Sequence, residues 1–280
     1  MTDASTRKIT FESSQGLTLS GVLQRPASSR GCVILSHCFT CNKNYKILVR
    51  LGRTLAQAGI ASLRFDYAGL GESQGQFEDT TLSSDSRDLE RAVSWVLDQG
   101  LGPVALAGHS MGGAISIVTA ARLPKVAGLA VIGTTSDPGN LYRLLPKLAP
   151  DNRPQGRPVT VEIAGISYPI SQAFLDDLER HDLKSNAASL GKPFLVIHGT
   201  EDSTVDISHG QALFQAARQP KSFLAVPGAE HLLGRREDTD LAGAVLAAWA
   251  NSALASAPSR GIGQASSAEA SLQTDLVESS

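Results

Sequence analysis

Residues 108–113 read Gly108-His109-Ser110-Met111-Gly112-Gly113. A serine with glycine two positions away on each side has the pattern of a nucleophile elbow, a turn so tight that only small residues fit at those two places. The apolar run Pro103-Val104-Ala105-Leu106-Ala107 before it suits a buried strand, and Ala114–Ala121 after it suits a buried helix. Such a junction lifts the serine hydroxyl above the sheet edge. It also aims the helix N-terminus, with its free N–H groups and partial positive charge, at the place where an oxyanion would form. The chemistry this would serve is nucleophilic attack on a carbonyl. A glycine-rich strand–helix turn without chemistry would satisfy the same six residues, so the partners decide.

A serine hydroxyl is a poor nucleophile at neutral pH. It needs a histidine as general base and a carboxylate to orient that histidine. Downstream, Lys192–Gly199 reads as a buried strand ending in the loop Thr200-Glu201-Asp202-Ser203-Thr204-Val205. Ser222–Val226 reads as a second strand, followed by Pro227-Gly228-Ala229-Glu230-His231. Asp202 is the expected acid and His231 the expected base, with Asp206 as the alternative acid. Glu201 and Glu230 read as solvated charges. Among the other histidines, His109 should point away from the Ser110 hydroxyl, and His198 reads as a hydrogen-bonded core residue. His181 and His209 read as exposed helical positions. His37 ends the strand Gly31–Ser36 and opens the loop His37-Cys38-Phe39-Thr40-Cys41-Asn42. The backbone N–H groups of Phe39 and Met111 are the expected oxyanion donors.

With these residues in place the chain resembles the α/β-hydrolase superfamily over about residues 8–250. The triad motifs carry the resemblance, together with Arg64-Phe65-Asp66-Tyr67-Ala68-Gly69-Leu70-Gly71-Glu72-Ser73, similar to the strand and glycine turn that precede the elbow in that family. The segment His37-Cys38-Phe39-Thr40-Cys41 resembles the hydrolase half of bacterial α/β-hydrolase/OsmC-type fusions, although the residues after about 250 are not expected to form a second folded domain. The segment after the elbow is loosely similar to the small lids of feruloyl-esterase-type enzymes. The resemblance implies an α/β-hydrolase fold and the triad Ser110, Asp202 and His231.

The elements must be laid out to position these residues. Lys8–Ser13 and Leu17–Arg25 read as an opening hairpin around Gln15-Gly16. Residues 44–58 carry Leu48, Leu51, Leu55 and Ala58 at helical spacing, stopped by Gly59. Ile60–Asp66 and Val126–Gly133 read as strands, and Leu89, Ala92, Val93, Val96 and Leu97 form a helix face. A last helix over 239–251 should turn Leu241, Val245, Leu246 and Trp249 inward. Strands alternating with helices predict an α/β fold, a mostly parallel sheet of about eight strands with helices on both faces. The alternation lapses over 136–190, which predicts a small inserted lid between core segments 1–135 and 191–250. Within it, Leu141–Leu148 reads as a short helix, Val159–Tyr168 as a hairpin turning at Gly165, and Ala173–His181 as a helix. Tyr142, Tyr168 and Phe174 are candidate substrate contacts, or merely pack the lid to the core. Residues 251–280 read as a disordered tail.

The 280 residues suit one large domain, and the 42% hydrophobic share can supply a core on both sheet faces. A net charge of −2 offers no basic field for nucleic acid or an anionic membrane. The polar stretch Met1–Ser14 lacks a signal-peptide pattern, and no apolar run reaches the ~20 residues of a membrane span. A cytoplasmic location is expected. Cys32, Cys38 and Cys41 are too few and too clustered for a disulfide framework. Cys38-x-x-Cys41 invites a redox or zinc reading, but it lacks a second ligand pair for zinc, and a thioredoxin-type motif should open a helix after a strand in a different fold, so reduced, partly buried thiols beside the site are expected. Gly69-x-Gly71 departs from a phosphate-loop spacing and reads as a turn. No cofactor and no metal are expected. The leading expectation is a serine hydrolase of small-molecule carboxylic esters, with thioesterase, amidase or peptidase chemistry open on the same triad. A non-catalytic ligand-binding protein on the same scaffold is the alternative from another class.

Overall fold

The computed structural model describes residues 4–139, 159–163 and 166–256. The opening hairpin forms as β1 (Ala4–Glu12) and β2 (Thr18–Pro26). There follow β3 (Cys32–Ser36), α1 (Lys46–Gln57), β4 (Ala61–Phe65), α2 (Leu82–Asp98), β5 (Val104–His109), α3 (Met111–Arg122) and β6 (Val126–Ile132). After the inserted segment come α5 (Leu183–Ser189), β9 (Phe194–Gly199), α6 (Ile207–Ala216), β10 (Lys221–Val226) and α7 (Arg236–Ala255). Among the described residues the main sheet has eight strands in the order β1-β2-β4-β3-β5-β6-β9-β10. β2 pairs antiparallel with β1 and β4, and every later pair is parallel. The α/β-hydrolase fold expected from the sequence is the fold observed.

The strands explain how both sheet faces are covered. Along β3, Cys32 and Ile34 enter one apolar cluster while Val33 and Leu35 enter the other. The same alternation runs through β5, β6 and β9, as expected of strands buried on both sides. One cluster is roofed by α2, α3, α5 and α6, through Leu89, Ile117, Leu183 and Leu213. The other is roofed by α1 and α7, through Leu51, Leu55, Leu246 and Ala250.

The last helix differs from the expectation. It starts at Arg236 and continues to Ala255, so residues 251–255 are helical, with Ala253 and Leu254 buried. Alanine is the best helix former, and a run of it packs closely without aromatic side chains. The inward face is Ala242, Leu246, Ala250 and Leu254, which leaves Leu241 outside, 41% exposed. Residues 257–280 of the expected tail lie outside the described residues.

In the inserted segment, β7 (Val159–Ile163) and β8 (Ile166–Ile170) pair antiparallel, and α4 (Gln172–Glu179) follows, capped by the Ser171 hydroxyl. The turn at Gly165, the expected helix Leu141–Leu148 and Tyr142 lie outside the described residues. α5 packs into the core against α3 and α6, with Leu183 and Ala187 fully buried.

A buried polar clamp ties the loops after β3 and β4 together. The Asp66 carboxylate accepts from the Lys43 N–H at 2.6 Å and pairs with its ammonium at 2.5 Å. It also accepts the Glu72 N–H at 2.9 Å, and the Lys43 ammonium reaches Glu72 at 3.0 Å. The Arg64 guanidinium donates to the Lys43 carbonyl at 2.8 Å. Gly69-x-Gly71 is thus the turn that wraps this carboxylate. Lys43 and Asp66 are both fully buried, so removing one partner strands the other charge. Lys43→Met should lower unfolding stability by about 3–5 kcal/mol, measured as a shift of the urea midpoint with an unchanged slope.

Candidate active site

The elbow forms as the sequence suggests. Ser110 sits between β5 and α3 with φ 55° and ψ −119°, a left-handed value that is costly for a residue with a Cβ. Its N–H donates to Ile132 O at 2.8 Å, which ties the turn to β6. A Cβ on Gly108 would strike the Gly112 backbone, and one on Gly112 would strike the carbonyls of Ser36 and His37. Both positions therefore have to be glycine for α3 to pass the end of β3.

Asp202 follows β9 and His231 follows β10, so all three candidate residues stand at the carboxyl ends of parallel strands. His231 Nε2 lies 3.0 Å from the Ser110 hydroxyl, and His231 Nδ1 lies 2.8 Å from Asp202 Oδ2. The two partner loops are bonded to each other: Glu201 N–H donates to Ala229 O at 3.0 Å, and Gly228 N–H donates to the Thr200 hydroxyl at 2.8 Å. Asp202 Oδ1 accepts the N–H groups of Thr204 and Val205 at 3.0 and 2.8 Å. Burial raises the Asp202 pKa, but hydrogen bonds from His198 and His231 outweigh it and hold the carboxyl well below its usual range. Asp206 is exposed and caps α6 through the Ser208 N–H at 2.9 Å, so it takes no part in this constellation. Glu201 and Glu230 are exposed, as expected.

Two buried histidines brace the site. His198 Nε2 donates to Val205 O at 2.8 Å and lies 3.4 Å from Asp202 Oδ2. The sequence suggests a core histidine here, but its contact with the acid emerges only when the Asp202 loop folds back. His109 turns away from the serine hydroxyl, and its Nε2 donates to the His231 carbonyl at 2.9 Å. His37 Nδ1 donates to Cys38 O at 2.9 Å, while its Nε2 accepts the Tyr67 N–H at 3.3 Å. His181 and His209 are not exposed as the sequence suggests. The first is within 3.0 Å of the Ser83 hydroxyl and the second within 3.0 Å of the Ser136 hydroxyl.

The loop after β3 lies beside the elbow. Met111 is the first residue of α3, and neither its N–H nor that of Phe39 donates a hydrogen bond among the described residues. Cys38 and Cys41 form a disulfide with a Cα–Cα distance of 5.2 Å, so the expectation of reduced thiols there is corrected. Two residues lie between them in sequence, and the Cys41 N–H to Cys38 O turn bond at 3.1 Å brings the sulfurs into reach. Cys32 is free, fully buried at the other end of β3, and not beside the site. From the inserted segment, Tyr168 donates its hydroxyl to Thr40 O at 3.2 Å and its ring meets Phe77. Phe174 is buried against Phe39 and Phe77. A cavity of about 610 Å³ lined by Arg50, Arg53 and Arg236 lies between α1 and α7 and contains none of the candidate residues. Among the described residues, no cluster of histidine, cysteine and carboxylate side chains could hold a metal.

A family model described as Serine aminopeptidase, S33 matches residues 27–158. The crystal structure of an esterase domain from Rhodothermus marinus is 34% identical, with a TM-score of 0.73, covering 89% of this chain and 98% of that one. The chain belongs to the α/β-hydrolase superfamily. This α/β-hydrolase is also 31% identical over 153 residues to human palmitoyl-protein thioesterase ABHD10, mitochondrial, covering 52% of this chain and about half, 49%, of that relative. Est1E from Butyrivibrio proteoclasticus, solved with ferulic acid bound, shares the fold at 20% identity, with a TM-score of 0.74 over 88% of this chain and 99% of that one. Taken together, these likenesses make the chain an esterase-like hydrolase. No helix among the described residues is long and apolar enough to cross a membrane.

Burial, then the nearby His231 ring, pushes the His109 pKa down from 6.5 to about 4. Between those values an unfolded chain binds a proton that the folded α/β-hydrolase refuses, so stability falls as the pH drops from about 6.5 to 4. His109→Gln should flatten that slope, read as the urea midpoint against pH.

Proposed function

We propose that this hydrolase cleaves small-molecule carboxylic esters through an acyl-enzyme. The observation that carries the reading is the unbroken chain Ser110 Oγ–His231 Nε2 at 3.0 Å and His231 Nδ1–Asp202 Oδ2 at 2.8 Å. Ser110 attacks the carbonyl carbon as His231 Nε2 takes its proton. Asp202 holds the Nδ1–H tautomer and stabilises the imidazolium that forms. The N–H groups of Phe39 and Met111 receive the oxyanion, each worth about 10²–10³ in rate where such donors are aligned. His231 returns the proton to the leaving alcohol. Water then attacks the acyl carbon, with the same histidine as base.

Thioester cleavage is the second reading, favoured by the likeness to a relative named as a palmitoyl-protein thioesterase. The triad chemistry is the same for both, because the leaving group is chosen by the walls of the site and not by the nucleophile. On this reading the insertion over 136–190 is the lid, and Tyr168 and Phe174 face the acyl or alcohol group. We place Tyr142 with them, although it lies outside the described residues. A small-molecule ester substrate and a cytoplasmic setting complete this reading.

A fluorophosphonate probe should label Ser110, located by peptide mass spectrometry, and Ser110→Ala should cost on the order of 10³-fold or more in rate with the fold intact. Asp202→Asn should cost roughly 10³–10⁴ in kcat, while Asp206→Asn should cost little. An adduct on another serine, or a reversed order of the two aspartates, would overturn the assignment. A matched panel of esters and thioesters of rising acyl length ranks the two readings. On that panel Tyr168→Ala should shift the length preference by roughly 1–3 kcal/mol, the worth of one pocket contact, with Ser110 still reactive toward the phosphonate.

A further inference from the structure

We propose that the Cys38–Cys41 disulfide is a thiol–disulfide exchange site for a dithiol reductant, and that opening it slows hydrolysis by freeing the Phe39 N–H, the proposed oxyanion donor, from a fixed orientation. The proposal rests on the serine-hydrolase reading above. Its starting point is backbone conformation. Among the described residues, three that are not glycine have positive φ: Thr40 at 58°, Ser110 at 55° and Leu233 at 43°. One is the candidate nucleophile, one lies two residues beyond His231, and one adjoins Phe39. Such conformations persist only where the surroundings over-determine them, and they gather at functional sites.

Around Thr40 the surroundings can be named. The disulfide spans the two residues Phe39 and Thr40. Inside it, the Cys41 N–H donates to Cys38 O at 3.1 Å and the Thr40 hydroxyl donates to Phe39 O at 2.7 Å. From outside, the Tyr168 hydroxyl holds Thr40 O at 3.2 Å, and the Phe39 ring packs on Phe77 and Phe174. The covalent bridge is the one restraint here that a reagent can remove without a mutation. A loop this short gains least from cross-linking in chain entropy, so the bridge acts on local geometry more than on global stability.

The two sulfurs differ in access. Cys38 is buried, whereas Cys41 is half-buried next to the exposed Asn42. An incoming thiolate therefore meets Cys41 Sγ. It forms a mixed disulfide there and breaks the S–S bond, and Cys38 leaves as a thiolate that takes up a proton. The second thiol of the reductant attacks its own sulfur in the mixed disulfide and releases Cys41 as a thiol. Two electrons pass from the dithiol to the pair, and the reductant leaves as a cyclic disulfide. Cys32 cannot replace either thiol, since it is fully buried on β3 and burial pushes its pKa up to about 12.

The test uses the full chain in two states: oxidised, and reduced with dithiothreitol that is then removed under nitrogen. Alkylation and mass spectrometry of the denatured chain count the thiols. The expected count is one in the oxidised form and three in the reduced form. On a short-chain nitrophenyl ester, kcat should fall about tenfold on reduction, part of the 10²–10³ that one oxyanion donor is worth. KM should change less than about twofold, and phosphonate labelling of Ser110 should slow in parallel. Reoxidation should restore both rates. Cys38→Ser with Cys41→Ser should sit at the reduced rate and ignore the reductant, while Cys32→Ala should respond as the natural chain does. Equal rates in the two states, a reductant effect that survives in the double variant, three thiols in the oxidised chain, or a reduced form that has lost its circular dichroism at the assay temperature would each overturn the proposal and leave the hydrolase reading standing. No turnover and no labelling of Ser110 in either state would instead overturn the hydrolase reading, and this proposal with it.

Discussion

The turn at Ser110 is the constraint on which the rest of the site depends. A residue with a Cβ is held at φ 55° because β5 must end and α3 must begin within one residue. That is possible only if α3 passes the end of β3 at backbone contact, where Gly112 meets the carbonyls of Ser36 and His37. The same approach brings the loop after β3 alongside the first turn of α3. The proposed oxyanion donors come one from each of these two elements. The sheet order places this junction between β4-β3 and β5-β6, where the chain reverses its direction of winding. Such switch points are where open parallel sheets leave a crevice at their carboxyl ends.

The candidate acid and base reach the serine from the other side of that crevice. Their loops follow adjacent parallel strands, β9 and β10, and are hydrogen-bonded to each other, which holds Asp202 and His231 together as one unit. The electrostatics of the unit are simple. A buried carboxylate is surrounded by donors from His198, His231, Thr204 and Val205, and the neighbouring His109 is kept neutral by burial. On the proposed mechanism, an imidazolium that forms only in passing gains from having no second positive charge beside it.

Nothing in this arrangement selects a substrate. The described part of the inserted segment leans on the loop after β3: Tyr168 bonds Thr40, and Phe174 packs on Phe39. The proposed lid and the loop that carries a proposed catalytic donor thus share a surface. That contact gives a physical route by which the redox state of one loop, or the substrate bound under the other, could alter turnover. The relatives named as esterase and thioesterase share the frame, and the frame alone does not choose between them.

Much of this was legible in the residue order, because it depends on local rules. The elbow is a six-residue pattern with a steric cause. The buried strands show as apolar runs, and Asp202 and His231 each stand directly after one of them. Leu241 was misjudged because the phase of an alanine-rich helix is set by which small faces nest against the sheet, and periodicity alone does not reveal that. The role of His198 was hidden for a different reason: its contact with Asp202 needs the loop to turn back on its own strand. The Cys38–Cys41 bridge was missed because composition argues about compartments, whereas closure of a bond needs two sulfurs in reach, and the turn between them decides that. Side-chain type and spacing determined which groups could do the chemistry. Tertiary structure decided which of them meet, since strands far apart in the chain become neighbours only when the sheet is assembled.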